Sequence, residues 1–288
     1  HILAPRINAM GRLDHAIDAL RLLCTKKEDR AMVLARQLGL TNKKRQDMTQ
    51  EAAIHAKRLV AERRKDGKNP KLIFLSHESY NQGIIGLIAG RLVEEYYLPA
   101  IVLSEGKEFS KASARSIKGF NIVETIRKAS DLLVDVGGHP MAAGFTVESS
   151  RLESLRERLE SIVETELLEE LLDRELSIEL ALPFSIIDEE LWKTLEQFEP
   201  YGIGNARPVF CTKQVEIMES RLVGKDKNHL RLNVTDYTGA FQAIGFRMGE
   251  EFGDLVKGDM IHIAYTIDLN IWNGRRELQL KIKDIQRV

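Results

Sequence analysis

The stretch from Lys71 to Ser104 constrains the fold more than any other. KLIFLS (71–76) and AIVLS (100–104) are short apolar runs without polar alternation, and QGIIGLIAGRLVEEY (82–96) between them repeats its apolar residues at helical spacing. Strands buried on both faces and joined by a crossover helix lie parallel. KASARS (111–116) reads as a third strand, NIVETIRKA (121–129) as a helix and FTV (145–147) as a last strand. Residues 70–148 are therefore expected to form an α/β domain with a largely parallel sheet.

The flanking segments follow different rules. Residues 12–39 carry helical spacing in two short pieces, and the glycine at 39 followed by Thr41 and Asn42 predicts a helix end and a new start. From there to Arg64 nothing interrupts a helix of about 36 Å, long enough to connect two domains, until the 65–70 turn KDGKNP. Residues 150–173, rich in Glu and Leu, read as a surface helix. The last third breaks into five strand-like stretches separated by Gly, Asn and Asp, with a hairpin signal at Asn273-Gly274. Five strands in about 80 residues suit an OB-fold barrel. The domain reading is 1–39 closing helices, 40–69 connecting helix, 70–148 α/β domain, 149–175 helical linker and 176–288 barrel.

Charge is distributed unevenly. The chain carries a net charge of −1, yet residues 1–71 hold 17 Lys/Arg against 8 Asp/Glu, an excess that suits a polyanion and equally a solvated helix face. No apolar run is long enough for a membrane span and no signal-peptide pattern opens the chain, so a cytoplasmic location is expected. The two cysteines, Cys24 and Cys211, lack metal-ligand spacing and are expected to be buried. His1 in place of Met suggests a fragment.

Four short motifs carry groups for anion binding. In PRINAMGR, Arg6 and Arg12 flank Asn8, so two guanidiniums and an amide can converge on one anion; a plain turn before a helix is the bland alternative. SYNQGIIG places Asn81 and Gly83 where a helix N-terminus follows a strand, which suits a phosphate as well as an ordinary turn. In KASARSIKGF, Ser113 and Arg115 share one strand face, fit for phosphate and sugar or merely for a soluble edge. In GGHPMAAGF, Gly137 and Gly138 let backbone approach a ligand closely, and His139 is presented in a loop as a phosphate clamp. No cluster of carboxylates and histidines completes a metal or hydrolytic centre. In the barrel, Lys225, Lys227 and Arg231 mark one hairpin, and Trp272, Arg275 and Arg276 another. Cations beside an aromatic ring suit single-stranded nucleic acid, although Trp272 equally fits a cap on the barrel end.

In this order PRINAMGR, QGIIGLIAGRLVEEYYLPAIVLS, SARS, GGHPMAAGF and EPYGIGNARPVF resemble the RecJ-type exonucleases of the DHH phosphoesterase superfamily, across essentially the whole chain. The resemblance implies 5′-to-3′ hydrolysis of single-stranded DNA in repair and recombination, with Mn²⁺ or Mg²⁺ as cofactor. It places the metal ligands in a domain N-terminal to PRINAMGR, so this stretch alone is expected to be inactive and to bind no metal. It also implies single-stranded DNA as partner, with a single-strand-binding protein and a helicase as further candidates and no membrane. Arg6, Asn8 and Arg12 would lie near the strand in the cleft, Ser113 and Arg115 would hold phosphates, and Gly137 to His139 would grip the nucleotide. The alternatives are a phosphoesterase for short oligonucleotides or cyclic dinucleotides, and a non-catalytic replication scaffold of the same architecture.

Overall fold

The computed structural model describes residues 2–65, 70–272 and 274–288, which fall into two compact units, 1–174 and 175–288. The expected turn at 65–70 lies largely outside the described residues, as does Asn273 of the hairpin signal. No described helix is long and apolar enough to cross a membrane.

The first unit opens with α1 (Leu3–Leu13), α2 (Ile17–Cys24) and α3 (Glu28–Lys65). The predicted break at Gly39 is absent, and α3 runs 38 residues without interruption, about 57 Å at 1.5 Å per residue. A mid-helix glycine costs about 1 kcal/mol. Burial of Leu34 and Leu38 before it, and of Ala53, Ala56 and Val60 after it, outweighs that local preference. Asn42, expected to start a helix, is buried inside this one and accepts from Arg45 Nε and Nη2 at 3.3 and 3.1 Å. Cys24 is exposed, against expectation, and Cys211 is half-buried.

The sheet that follows contains β1 (Ile73–His77), β2 (Ala100–Ser104), β3 (Phe109–Arg115), β4 (Leu133–His139) and β5 (Ala142–Glu148), in the order β1-β2-β3-β5-β4. Three more helices belong to this unit, α4 (Ile85–Tyr96), α5 (Ile122–Arg127) and α6 (Leu152–Glu166). Only β1 and β2 pair in parallel; the other three pairings are antiparallel, so the largely parallel sheet is corrected to a mixed one. Connection length explains the difference. A parallel pair needs a crossover of a dozen residues or more. Residues 97–99 complete such a crossover after α4, whereas only 105–108 join β2 to β3 and only Pro140–Met141 join β4 to β5.

One face of the sheet packs Phe74, Ile101, Ala114, Phe145 and Val147 against α5 and α6. The stretch read as a linker thus supplies Leu155, Leu159 and Val163 to this core. The opposite face is covered over β1 and β2, where Ile73, Leu75, Ala100 and Val102 meet α4 and α3, and α4 reaches on to Ser113 and Arg115 of β3. Over β5 and β4 that face is accessible, and β3 and β5 alternate between buried residues and more accessible ones.

The second unit contains β6 (Leu180–Ala181), α7 (Glu189–Glu196), β7 (Phe210–Val223), β8 (His229–Thr235), β9 (Ala240–Gly245), α8 (Gly249–Phe252), β10 (Met260–Trp272) and β11 (Arg275–Arg287). Strands β7 to β11 close a five-stranded barrel: β9 pairs in parallel with β11, and β10 returns to β7. This is the OB topology that the strand count suggested. Inside, Thr212 Oγ1 donates to the Leu182 carbonyl at 2.7 Å, so its one proton is committed and the Tyr265 hydroxyl, 2.8 Å away, must donate to it.

Asp236 closes the β8–β9 turn. Its carboxylate accepts from the Phe184, Thr238 and Gly239 amides at 2.7, 2.9 and 3.0 Å and from the Thr238 hydroxyl at 2.8 Å. Burial by itself would raise its pKa, but these donors outweigh burial and hold it below the usual carboxylate range. A depressed folded pKa contributes stability that is present above the unfolded value, about 3.9, and is lost as pH falls through the folded value. Asp236→Ala is expected to cost the barrel about 2–3 kcal/mol at neutral pH. Both tryptophans, Trp192 and Trp272, lie in this unit, so urea denaturation followed by their fluorescence reads it selectively; an unchanged midpoint would contradict the assignment.

Candidate nucleic-acid interface

Register defines the open face. Arg115 stands opposite Ala142, and Ala142 opposite His139; one row further on, Ser113 faces Gly144, and Gly144 faces Gly137. Val102 and Ala100, which point toward α4, pair with Ser113 and Arg115, so both rows lie on the α4 side of the sheet, with α4 over their β3 end. At about 4.8 Å between strands, His139 and Arg115 stand roughly 10 Å apart across a floor of alanine and glycine.

The motif expected as a loop is thus the end of β4. Its two glycines serve different ends. Gly138 points toward the core with φ of 152°, and a Cβ there would lie 2.4 Å from the Ala142 carbonyl oxygen, so the hairpin excludes any other residue. Gly137 points outward with nothing within 4 Å of a Cβ, so a side chain there would stand in the trough. His139 is exposed and, among the described residues, makes no side-chain hydrogen bond.

The N-terminal part of α4 walls this floor. Asn81 Oδ1 accepts from the Gly83 amide at 2.8 Å, which spends the side chain on shaping the turn. Arg12 Nη1 donates to the Gly83 carbonyl at 3.2 Å, and a Cβ on Gly83 would lie 1.9 Å from the Arg12 carbonyl oxygen. The buried Tyr80, its pKa pushed up to about 12 by burial, bonds through its hydroxyl to His55 Nδ1 at 2.9 Å and fastens the same turn to α3. At Gly86 a Cβ would sit 2.9 Å from Ser113 Oγ and 3.0 Å from Arg115 Nη2, so the missing side chain makes room for them.

Arg115 Nη1 donates to Ser113 Oγ at 3.1 Å and to the Ala114 carbonyl at 2.7 Å. With Arg45, Thr49, Gly86, Gly90 and Arg91 it lines a cavity between α3 and α4. Burial first, and then the Arg12 guanidinium, lower the pKa of Arg115. Burial, followed by Arg12 and Arg91, does the same to Arg45. Among the described residues no carboxylate forms an ion pair with Arg12, Arg45, Arg91 or Arg115. Glu94 also lines the cavity, so four guanidiniums face one nearby carboxylate, and that excess of positive charge favours a bound anion.

Helix geometry divides the PRINAMGR group. Asn8 and Arg12 are four residues apart on one side of α1, whereas Arg6 is turned about 120° from Arg12 and donates to the Ile2 carbonyl at 2.7 Å. Only Arg12 joins the cluster. Arg45 and Arg91 escape a sequence reading because they meet through the packing of α3 on α4; the one local hint is Gly86 and Gly90 four apart on a helix.

In the barrel, Arg231 donates to Gln242 Oε1 at 2.9 Å and lines a groove with Val223, Ile244, Asn270 and Gln279. Lys225 and Lys227 lie in the β7–β8 turn, and Arg276 pairs with Ile271 near the tip of the β10–β11 hairpin. The side chains of Trp272 and Arg275 are outside the described residues. OB barrels bind oligonucleotides on the face of their second and third strands and on the first-second and fourth-fifth loops, which here are β8–β9 and the two hairpin ends.

The architecture is a mixed sheet whose face is walled by arginines and floored by alanine and glycine, together with a separate OB barrel. Residues 69–165 match the family model described as the DHHA1 domain, and residues 178–284 the one described as the RecJ OB domain. The single-stranded-DNA-specific exonuclease RecJ of Bacillus subtilis is 34% identical over 284 residues, 98% of this chain and 36% of that protein. Its namesake from Thermus thermophilus is 30% identical over 99% of this chain and 39% of its own length. The crystal structure of RecJ in complex with Mn²⁺, also from Thermus thermophilus, superposes with a TM-score of 0.83 at 27% identity, over 99% of this chain and 40% of that one. The chain belongs to the RecJ family, carrying its DHHA1 and OB domains and spanning well under half the length of these relatives.

Solved RecJ structures contain Mn²⁺ or Mg²⁺. Such ions need several oxygen donors, and among the described residues no group of three or more His, Cys, Asp or Glu side chains is placed to hold one. The described residues of this stretch do not fit the metal.

Proposed function

We propose that this chain is the strand-gripping part of a RecJ-type 5′-to-3′ single-stranded-DNA exonuclease acting in repair and recombination. In this reading hydrolysis uses Mn²⁺ or Mg²⁺ held by residues outside this stretch, and the stretch itself binds without cutting. A cytoplasmic setting with a single-strand-binding protein and a helicase belongs to the same proposal. The observation that carries it is the cluster of Arg12, Arg45, Arg91 and Arg115 at the edge of a sheet face floored by Ala142, Gly144 and Gly137. Arginines in excess over the one carboxylate beside them, Glu94, suit phosphates, and a floor of alanine and glycine lets a sugar-phosphate backbone approach closely.

The test is a salt series with a fluorescent oligo-dT strand. Each phosphate contact on single-stranded DNA contributes about −0.7 to the slope of log affinity on log salt, so four contacts give roughly a fifty-fold loss between about 50 and 200 mM. Absent or salt-insensitive binding overturns the proposal. A dinucleotide that competes as well as the long strand would favour the short-oligonucleotide alternative, which makes no use of the barrel.

A further inference from the structure

Past Gly245 the chain leaves β9 beside the start of β8. Leu230 pairs with Gly245, so the next residues across are His229 and Phe246, whose rings meet edge to face with centroids 5.3 Å apart. Leu230, Leu232 and Ala243 point into the barrel, and alternation therefore places His229 and Phe246 on the outer face with Arg231, Gln242 and Ile244. Phe246 is 56% exposed, a large ring that the barrel core does not use.

The surroundings hold it there. The Arg247 amide donates to His229 Nδ1 at 3.1 Å, and Arg247 itself has φ of 63°, a left-handed conformation that side chains seldom adopt. The Gly249 amide donates to the Asn228 carbonyl at 3.1 Å, and a Cβ on Gly249 would lie 2.9 Å from the Lys227 carbonyl oxygen, so the β7–β8 turn rests directly on the segment after β9. Lys225 and Lys227 lie in the turn that leads into His229 and Arg247 follows the ring in the chain, against Asp226 in the same turn and Glu250 and Glu251 just beyond. The same outer face carries the groove that Arg231 and Gln242 line with Glu277 and Gln279.

We propose that Phe246, backed edge-on by His229, is a stacking platform for one base of a single strand, whose flanking phosphates run past Lys225, Lys227 and Arg231. The inference rests on the reading of the barrel as a single-strand-binding module. An exposed ring on the face that carries Arg231, with Lys225 and Lys227 in the adjoining turn, suits a nucleic acid better than an apolar protein surface, and stacking accepts any base because every base has a π-face.

Two labelled strands of equal length separate this proposal from its parent: oligo-dT, and an abasic strand that keeps sugar and phosphate. In anisotropy titrations of the whole chain, Phe246→Ala is expected to weaken dT binding about tenfold and to leave abasic binding within about twofold. Phe246→Trp should keep dT affinity, and its added fluorescence should be quenched by dT and not by the abasic strand. Arg231→Ala should weaken both strands alike. Equal affinities of wild type and Phe246→Ala for dT, or an equal loss on both strands, overturn the stacking role while single-strand binding stands. A wild-type chain that binds neither strand overturns the parent reading itself.

Discussion

Replacing Arg115 with alanine is expected to weaken single-strand binding by roughly thirty- to a hundred-and-fifty-fold, the effect of removing about 2–3 kcal/mol of charge-assisted contact. The salt slope should fall by about 0.7, one phosphate contact. Arg115→Lys keeps a charge but loses the planar fork that Ser113 Oγ and the Ala114 carbonyl hold in place, so it should restore the slope and only part of the affinity. Stability of the first unit should not decline. Burial and Arg12 push the pKa of Arg115 down, which means that folding disfavours its charge, so removing it relieves a tension that a bound anion otherwise relieves. His139→Ala, on an exposed side chain across the floor, should weaken binding only a few-fold. Unchanged affinity and slope in Arg115→Ala would remove the cluster from the interface.

Gly83→Ala is expected to be the most damaging single-methyl change in the first unit. The new Cβ would lie 1.9 Å from the Arg12 carbonyl oxygen and 2.8 Å from its carbonyl carbon, and backbone cannot swing aside. The turn before α4 and helix α1 must separate, at a cost of about 3 kcal/mol or more. Thermal unfolding followed by far-ultraviolet circular dichroism should show a lowered transition for this unit, while the tryptophan signal of the barrel stays in place. Gly86→Ala is the informative contrast. Its Cβ would meet Ser113 Oγ and Arg115 Nη2, the ends of side chains that can move, so stability should hold while binding weakens. A Gly83→Ala protein as stable as wild type would contradict the contact between α1 and this turn.

These two glycines also mark how far the fold is legible in the sequence. Strands β1 and β2 stand out because burial on both faces leaves continuous apolar runs, and the barrel strands because they alternate or end at turn residues. Gly39 misleads because a local breaker signal says nothing about the tertiary contacts of Leu34, Leu38 and Ala53 that carry α3 through it. Strand direction is legible in principle, since four residues between β2 and β3 cannot make a parallel crossover, yet the alternation of strands and helices points the other way. Strand β4 is hidden because Gly137 and Gly138 look like a loop, when Gly138 is what lets the hairpin close. At the proposed interface, the closeness of Ser113, Arg115 and His139 is recoverable because neighbouring strands bring short motifs together. Arg45 and Arg91 are not, since nothing local links a residue on α3 with one on α4. Phe246 gives no signal because an aromatic beside a strand end reads as core until its exposure is known.

The floor formed by Ala142, Gly144 and Gly137 has one more consequence. A surface with deep pockets gives a polymer preferred resting places, and each advance must climb out of one. On a smooth floor with charges only along its margins, a strand shifted by one repeat finds the same contacts again, and the barrier between successive positions is low. If the face binds a strand as proposed, its small side chains make it a bearing, suited to a thread that has to keep moving.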